Sequence, residues 1–268
     1  SQERATVRVN ANYGVSNIAN YRVDMCNTEE YFELRELINP SLKDNSQFQA
    51  LKQQRVSRPD LFNFSWKDWI LNENAPTKNI DLSISGRSQA SDYYVSANAF
   101  TQEGIEPFTY LERYSLRSNV NSQVNSWLKI GSNIAITYQP TRTQGYSTGN
   151  SWYNPISIAH WSLPYTVPYE ILYDEQGNVT GLGDKELDYF PESGLRNYFY
   201  LQRLQPREYN YLRLQGNTYE QIQPIKGLTL KASQAIEGYD YRSSGKSIPE
   251  NGSPLTPQAS EGFTRNYS

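Results

Sequence analysis

The stretch that decides the fold is Thr6–Val15, TVRVNANYGV. Val7, Val9, Ala11, Tyr13 and Val15 fall on one side of an extended chain, and Thr6, Arg8, Asn10, Asn12 and Gly14 on the other. Successive side chains of a strand point to opposite faces, so this is a strand with one apolar and one polar face. The pattern returns down the chain. Ile80, Leu82 and Ile84 alternate with Asp81, Ser83 and Ser85, and Val95, Ala97 and Ala99 with Tyr94, Ser96 and Asn98. Tyr114, Leu116 and Val120 alternate with Ser115, Arg117, Asn119 and Asn121, and Leu128, Ile130, Ile134 and Ile136 with Lys129, Gly131, Asn133 and Thr137. Leu212, Leu214 and Thr218 then alternate with Arg213, Gln215 and Asn217, and Leu228, Leu230, Ala232 and Ile236 with Thr229, Lys231 and Ser233. These are seven strands of about ten residues, the length a tilted strand needs to cross a bilayer. Phe263–Ser268 starts an eighth.

Alternation alone fits a β-sandwich as well as a membrane barrel; the connections separate them. Those around Ser88–Ser91, Ser122–Ser126 and Ile222–Gly227 are short. Ser16–Thr77, Pro140–Arg207 and Arg242–Gly262 are long, and Gly104–Glu112 is intermediate. If the first strand rises from the periplasm, every short turn falls on the periplasmic side, as outer-membrane barrels arrange it. The long links carry helices of their own. Thr28–Ile38 has Thr28 as N-cap and Glu29 and Glu30 in the first turn; Ser46–Arg55 and Trp66–Leu71 are shorter.

Composition agrees. The 268 residues include 22 Tyr and 5 Trp, yet the whole hydrophobic class reaches only 37%. A disordered chain is poor in aromatics, and a large enzyme core needs more aliphatic residues. A wall that is wet on one side needs only half of each strand to be apolar. A net charge of −3 gives no basic field for nucleic acid. Cys26 and His160 are the sole residues of their kinds, which leaves most zinc and Ser-His-Asp or Cys-His chemistry without parts. Asp174, Glu175, Asp184, Glu186 and Asp188 lack calcium-loop spacing and read as a solvated acidic loop. No metal, cofactor or catalytic site is expected.

Tyr13, Tyr93, Tyr94, Tyr110, Tyr114, Tyr138, Tyr209, Tyr211, Tyr219 and Trp127 lie near strand ends and are expected to form a headgroup girdle. In the longest link Tyr146, Trp152, Tyr153 and Trp161 are the candidate substrate contacts. Tyr165, Tyr169 and Tyr173 accompany them there, and any of these rings could instead pack the loop on itself.

Three longer stretches resemble one family. Leu82–Gly104, LSISGRSQASDYYVSANAFTQEG, resembles the hairpin of SusC/RagA-like TonB-dependent outer-membrane transporters, with Ser-Gly, Tyr-Tyr-Val and Gln-Glu-Gly in order. Tyr110–Gly131, YLERYSLRSNVNSQVNSWLKIG, resembles the next family hairpin, and Ile225–Ser233, IKGLTLKAS, a periplasmic turn and the strand after it. Ala5–Val15 resembles the first barrel strand after the plug. The resemblance implies that residues 1–268 are part of a TonB-dependent receptor β-barrel domain, with the plug and the remaining strands outside this sequence. It implies nutrient import without enzymatic activity. It also implies TonB engaged through the plug, a SusD-like surface lipoprotein as lid, outer-membrane lipid around the wall, and an oligosaccharide or oligopeptide as ligand. The rival readings are a secreted β-sandwich carbohydrate-binding module and, behind it, a β-rich glycan hydrolase. The sandwich requires Val7, Leu82 and Ile134 to be buried; the hydrolase requires a facing carboxylate pair that no motif proposes.

Overall fold

A computed structural model describes residues 4–19, 23–143, 155–190, 192–195, 197, 200, 207–247 and 260–267. Eight strands form one antiparallel sheet: β1 (Thr6–Ser16), β2 (Ala75–Arg87), β3 (Ser91–Glu103), β4 (Tyr110–Gln123), β5 (Leu128–Arg142), β8 (Arg207–Ile225), β9 (Leu228–Ser247) and β10 (Ser260–Tyr267). Their spatial order follows the chain, with β1 and β10 as the two edges. A separate hairpin, β6 (Tyr169–Tyr173) and β7 (Val179–Glu186), sits in the connection between β5 and β8. The seven expected strands are all present and the eighth is β10; the small hairpin was not anticipated. The three tight turns, after β2, β4 and β8, lie at one end of the sheet, and the longer links lie at the other.

The sheet's apolar face is a tilted band, and its slope follows from the register. Val7, low in the apolar run of β1, pairs with Ile84, which pairs with Val95, then Ser118, Ile134, Gly216 and finally Ile236. Yet Ile236 is the top of the apolar run Leu228–Ile236 in β9. Over six strand-to-strand steps the band has therefore slipped by its own length, about eight residues or about 27 Å along the strands, against about 29 Å across them. The ratio corresponds to a strand tilt of roughly 43°, within the range that membrane barrels use. The run itself, projected on the membrane normal, is about 20 Å tall before its flanking aromatics are added, close to the lipid-facing band of such barrels.

This face is open. Val7 is 59% exposed, Leu82 48% and Ile134 43%, where a sandwich would have sealed all three. Two cross-strand pairs at the tight-turn end pin the register by laying an aromatic ring over a glycine. Tyr93 covers its partner Gly86, where a Cβ would meet the ring at 2.6 Å. Tyr219 covers Gly131 and donates from its hydroxyl to Asn121 Oδ1 at 2.9 Å.

The buried core lies almost wholly outside the sheet. The link between β1 and β2 holds α1 (Thr28–Ile38), a 3-10 turn (Pro40–Asp44), α2 (Ser46–Val56), α3 (Pro59–Phe62) and α4 (Trp66–Ile70). The link between β5 and β8 adds α5 (Pro155–Trp161) and the β6–β7 hairpin. Phe32 and Phe62 from the first link pack with Tyr165 and Val167 from the second, and Trp66 and Ile70 with Ala159, Phe190 and Leu195. The two links thus share two apolar clusters and form a head above the wall. The N-cap of α1 is Asn27 rather than the expected Thr28. Asn27 accepts from Glu30 N at 2.9 Å while Glu30 accepts from Asn27 N at 3.0 Å, a reciprocal capping box. Thr28 is instead buried and donates from its hydroxyl to the Phe62 carbonyl.

Candidate functional site

Two surfaces can meet a solute: the polar face of the wall and the head above it. On the polar face the amides and carboxylates bond to one another within and across strands. Asn98 donates to Asn79 Oδ1 and Asp81 Oδ1, each at 2.7 Å, and Asn79 donates to Asp81 Oδ2 at 2.7 Å. Asn119, Asn133 and Asn217 follow as direct cross-strand neighbours. Arg213 pairs with Glu237, its Nε donating to Oε1 at 2.8 Å. Lys231 lies over the Tyr219 ring at 4.6 Å. Such a face offers donors and acceptors in both signs of charge, suited to water and polar cargo and unsuited to hydrocarbon.

Strand parity divides the expected girdle. Tyr13, Tyr93, Tyr114 and Tyr138 share the apolar face, so they fit the headgroup role. Tyr94, Tyr209, Tyr211 and Tyr219 share the polar face and do not. Tyr209 stacks on Tyr241 at 6.2 Å and Tyr211 on Tyr239 at 6.0 Å, both nearly parallel. The reason is simple parity: Tyr209 and Tyr211 are in phase with Arg213 and Gln215, not with Leu212 and Leu214.

In the head, contacts between the two links are numerous and specific. Trp66 donates from Nε1 to the Thr166 carbonyl at 3.2 Å, and Arg58 from Nη1 to the Val179 carbonyl at 3.1 Å. Buried Arg55 reaches Glu192 at 3.2 Å and lies over the Phe62 ring at 4.4 Å. Burial, with Tyr31 beside it, pushes the Tyr165 phenol up to about 12. Asn17 and Asn74 clasp the ends of the first link: Asn74 N donates to Asn17 Oδ1 at 2.7 Å, and Asn17 Nδ2 to Asn74 Oδ1 at 3.0 Å. Between α5 and the start of α1 lies an open cavity of about 340 Å³, lined among others by Asp24, Cys26, Asn63, Trp66, Lys67 and Ser162.

Of the four candidate substrate contacts, Trp161 ends α5 and is 39% exposed on the head. Tyr146, Trp152 and Tyr153 lie outside the described residues. Tyr165 takes the packing role: it is 6% exposed and stacks on Phe32 at 5.2 Å. Asp174 is no loose member of an acidic loop. It anchors the β6–β7 turn, accepting from Gln176 N at 3.0 Å and Asn178 N at 2.7 Å, which holds its carboxyl below the usual range. Among the described residues no group of three His, Cys, Asp or Glu side chains could hold a metal ion. The stacked tyrosines were the feature sequence reading missed, although counting parity along β8 would have found them.

No family model matches the chain. Over 94% of its length it is 24% identical to "TonB-dependent receptor P3" of Formosa agariphila, and over 46% of its length 33% identical to "TonB-dependent receptor P26" of the same organism. The chain spans 25% and 11% of those relatives. Among solved structures it superposes on the RagAB peptide transporter with a TM-score of 0.67 at 24% identity, covering 98% of this chain and 31% of that one. The RagAB peptide importer in its open-open state gives 0.64.

Proposed function

From a chain that carries a wall segment of the SusC/RagA-like TonB-dependent transporter type, we propose a role in energy-coupled import of glycan or peptide fragments across a Gram-negative outer membrane. The wall's apolar face meets lipid and its polar face lines the lumen. A plug inside the barrel couples to TonB, and a SusD-like lipoprotein closes over the head. The protein binds and passes its cargo without chemical change. Residues 1–268 act as part of the barrel domain, and Tyr146, Trp152, Tyr153 and Trp161 contribute cargo contacts.

The observation that carries this reading is the band whose slip gives a barrel's tilt, with an amide-rich face behind it. A soluble sheet has no reason to keep a sloping stripe of open aliphatic side chains at one constant height. The test is uptake. Cells lacking the protein should stop accumulating either labelled oligosaccharides or labelled oligopeptides, and the intact protein should restore it. Unchanged accumulation of both classes would overturn the assignment. Within it, Trp152→Ala and Tyr153→Ala should weaken cargo binding; unaltered binding in the double variant removes that site.

A further inference from the structure

On the apolar face, above the aromatic row at the head end, the wall carries a feature that stability alone does not explain. Tyr138, a girdle residue, donates from its hydroxyl to Asn210 Oδ1 at 3.1 Å. Asn210 pairs directly with Arg242, and Arg242 directly with Arg265 on β10. All four share the outward face by strand parity. Two like charges directly opposite on neighbouring strands repel. One carboxylate, Asp240, stands between them. Arg242 donates to it from Nε at 3.2 Å and Nη2 at 2.9 Å, and Arg265 from Nε at 3.1 Å and Nη2 at 2.9 Å. Asp240 is three-quarters or more covered while both guanidinium groups are about half exposed. The three side chains sum to one positive charge, with the carboxylate tucked under, the Nε–Nη2 edge of each guanidinium group turned to it, and both arginine side chains about half exposed.

Given the tilt derived above, Arg242 stands roughly 10 Å above the top of the aromatic row, beyond the hydrocarbon and at the level where headgroups reach. Guanidinium groups match phosphate geometry with paired N–H donors, and Asp240, which holds the two arginines side by side, competes with a phosphate for them. The cluster is continuous with the lipid-facing band and points away from the lumen, so cargo does not pass it.

We propose that Arg242, Arg265 and Asp240 form a docking site for the phosphorylated headgroup of an outer-leaflet glycolipid, which anchors the wall at this height. The inference rests on the wall being the membrane-spanning surface proposed above. Failure of that reading shows separately, as absence of the protein from the bilayer fraction.

The experiment uses the full native polypeptide, extracted in mild detergent and examined by native mass spectrometry. The probes are lipid A with its phosphates, the same lipid stripped of them, and inorganic phosphate as competitor. Phosphorylated lipid A should be retained, and the stripped lipid about tenfold less. Inorganic phosphate in excess should not displace it, which separates a headgroup site from a free-anion site. Arg242→Ala with Arg265→Ala should lower retention about tenfold, and the double lysine variant should recover part of it. Asp240→Asn keeps both forks, removes the competing carboxylate and should raise retention. That variant keeps the test open where the alanine pair fails to fold. Equal retention of the two lipids, displacement by phosphate, or weaker retention by Asp240→Asn would each overturn the proposal.

Discussion

Ile134 in the wall and Ile158 in the head are the same side chain placed against two different solvents. Ile134 stands outward from β5 with 43% of its surface open, in a band of like residues. Ile158 is sealed in α5 with none. In the proposed reading the wall has no core because its apolar residues need none: hydrocarbon completes their burial, and the backbone is satisfied strand to strand. The head stands in water above that layer and must bury its own apolar side chains, drawing them from two links far apart in sequence. Cutting a residue out of the head should therefore leave a cavity. Changing one in the wall should matter only through what it presents to lipid.

The largest expected effect lies in the head. Phe32 is fully buried, stacked on Tyr165 and edge-on to Phe48, so Phe32→Ala should cost about 3–5 kcal/mol of head stability. Limited proteolysis of the membrane-embedded protein should then cut within the head while the strands stay resistant. If the strands became susceptible at the same denaturant concentration, head and wall would be one cooperative unit and the contrast would fail.

Next in size is a matched pair in the wall. Ile134→Arg places a charge near the middle of the apolar band and, if that band faces lipid as proposed, should cost about 2–4 kcal/mol in a bilayer. Asn133→Arg, one residue away on the polar face, should cost little. Unfolding by urea in lipid vesicles measures both. A costly Asn133→Arg beside a harmless Ile134→Arg would mean the two faces had been exchanged.

The two regions were unequally legible in the sequence. In the wall, each strand's pattern is local and repeats every second residue, so all seven expected strands recur with the right faces. Long and short links alternate as they should. In the head, α1 has the expected bounds, and α2 runs one residue past Arg55 to Val56. What holds these helices was not legible, because Trp66 meets Thr166 a hundred residues away and no period reports such a contact. The β6–β7 hairpin went unseen since Ile171 and Leu172 are consecutive and do not alternate. The Asp-Glu-Gln-Gly-Asn turn after Tyr173 was the available signal. The misplaced tyrosines have a different cause. Strand-end position suggested lipid, while parity, equally readable, already put Tyr209 and Tyr211 beside Arg213.

A smaller effect sharpens the account of the head's core. Burial, then Tyr31 and Glu192, raise the Tyr165 phenol to about 12, above its ordinary value near 10. A group whose folded value is raised contributes its stability in full below the unfolded value and loses it as pH climbs through the folded one. The head should therefore loosen between about pH 10 and 12, with one phenolate signal appearing late in an ultraviolet titration. Tyr165→Phe should abolish that late signal and shift the loosening to higher pH. A Tyr165 that ionised with the exposed tyrosines would mean the head is open to water.

The smallest effect is confined to the β6–β7 turn. Hydrogen bonds from the Asn178 side chain and backbone, with those of Gln176 and Gly177, hold the Asp174 carboxyl below its usual value. The sign is opposite to that of Tyr165. A lowered carboxyl contributes above the unfolded value near 3.9 and loses that contribution as pH falls through the folded one. The turn stands at the head's surface, so the change is local: amide exchange at Gln176 and Asn178 should quicken below about pH 4 while Phe32 and its neighbours stay protected. Asp174→Asn keeps one acceptor oxygen and removes the titration, so exchange in this turn should be faster at neutral pH and flat on acidification. A turn whose exchange kept the same acid dependence without the carboxylate would show that its order comes from the packing of Ile171 and Leu182 against the head's core. The head's edge would then be held, like its centre, by burial rather than by hydrogen bonds in water.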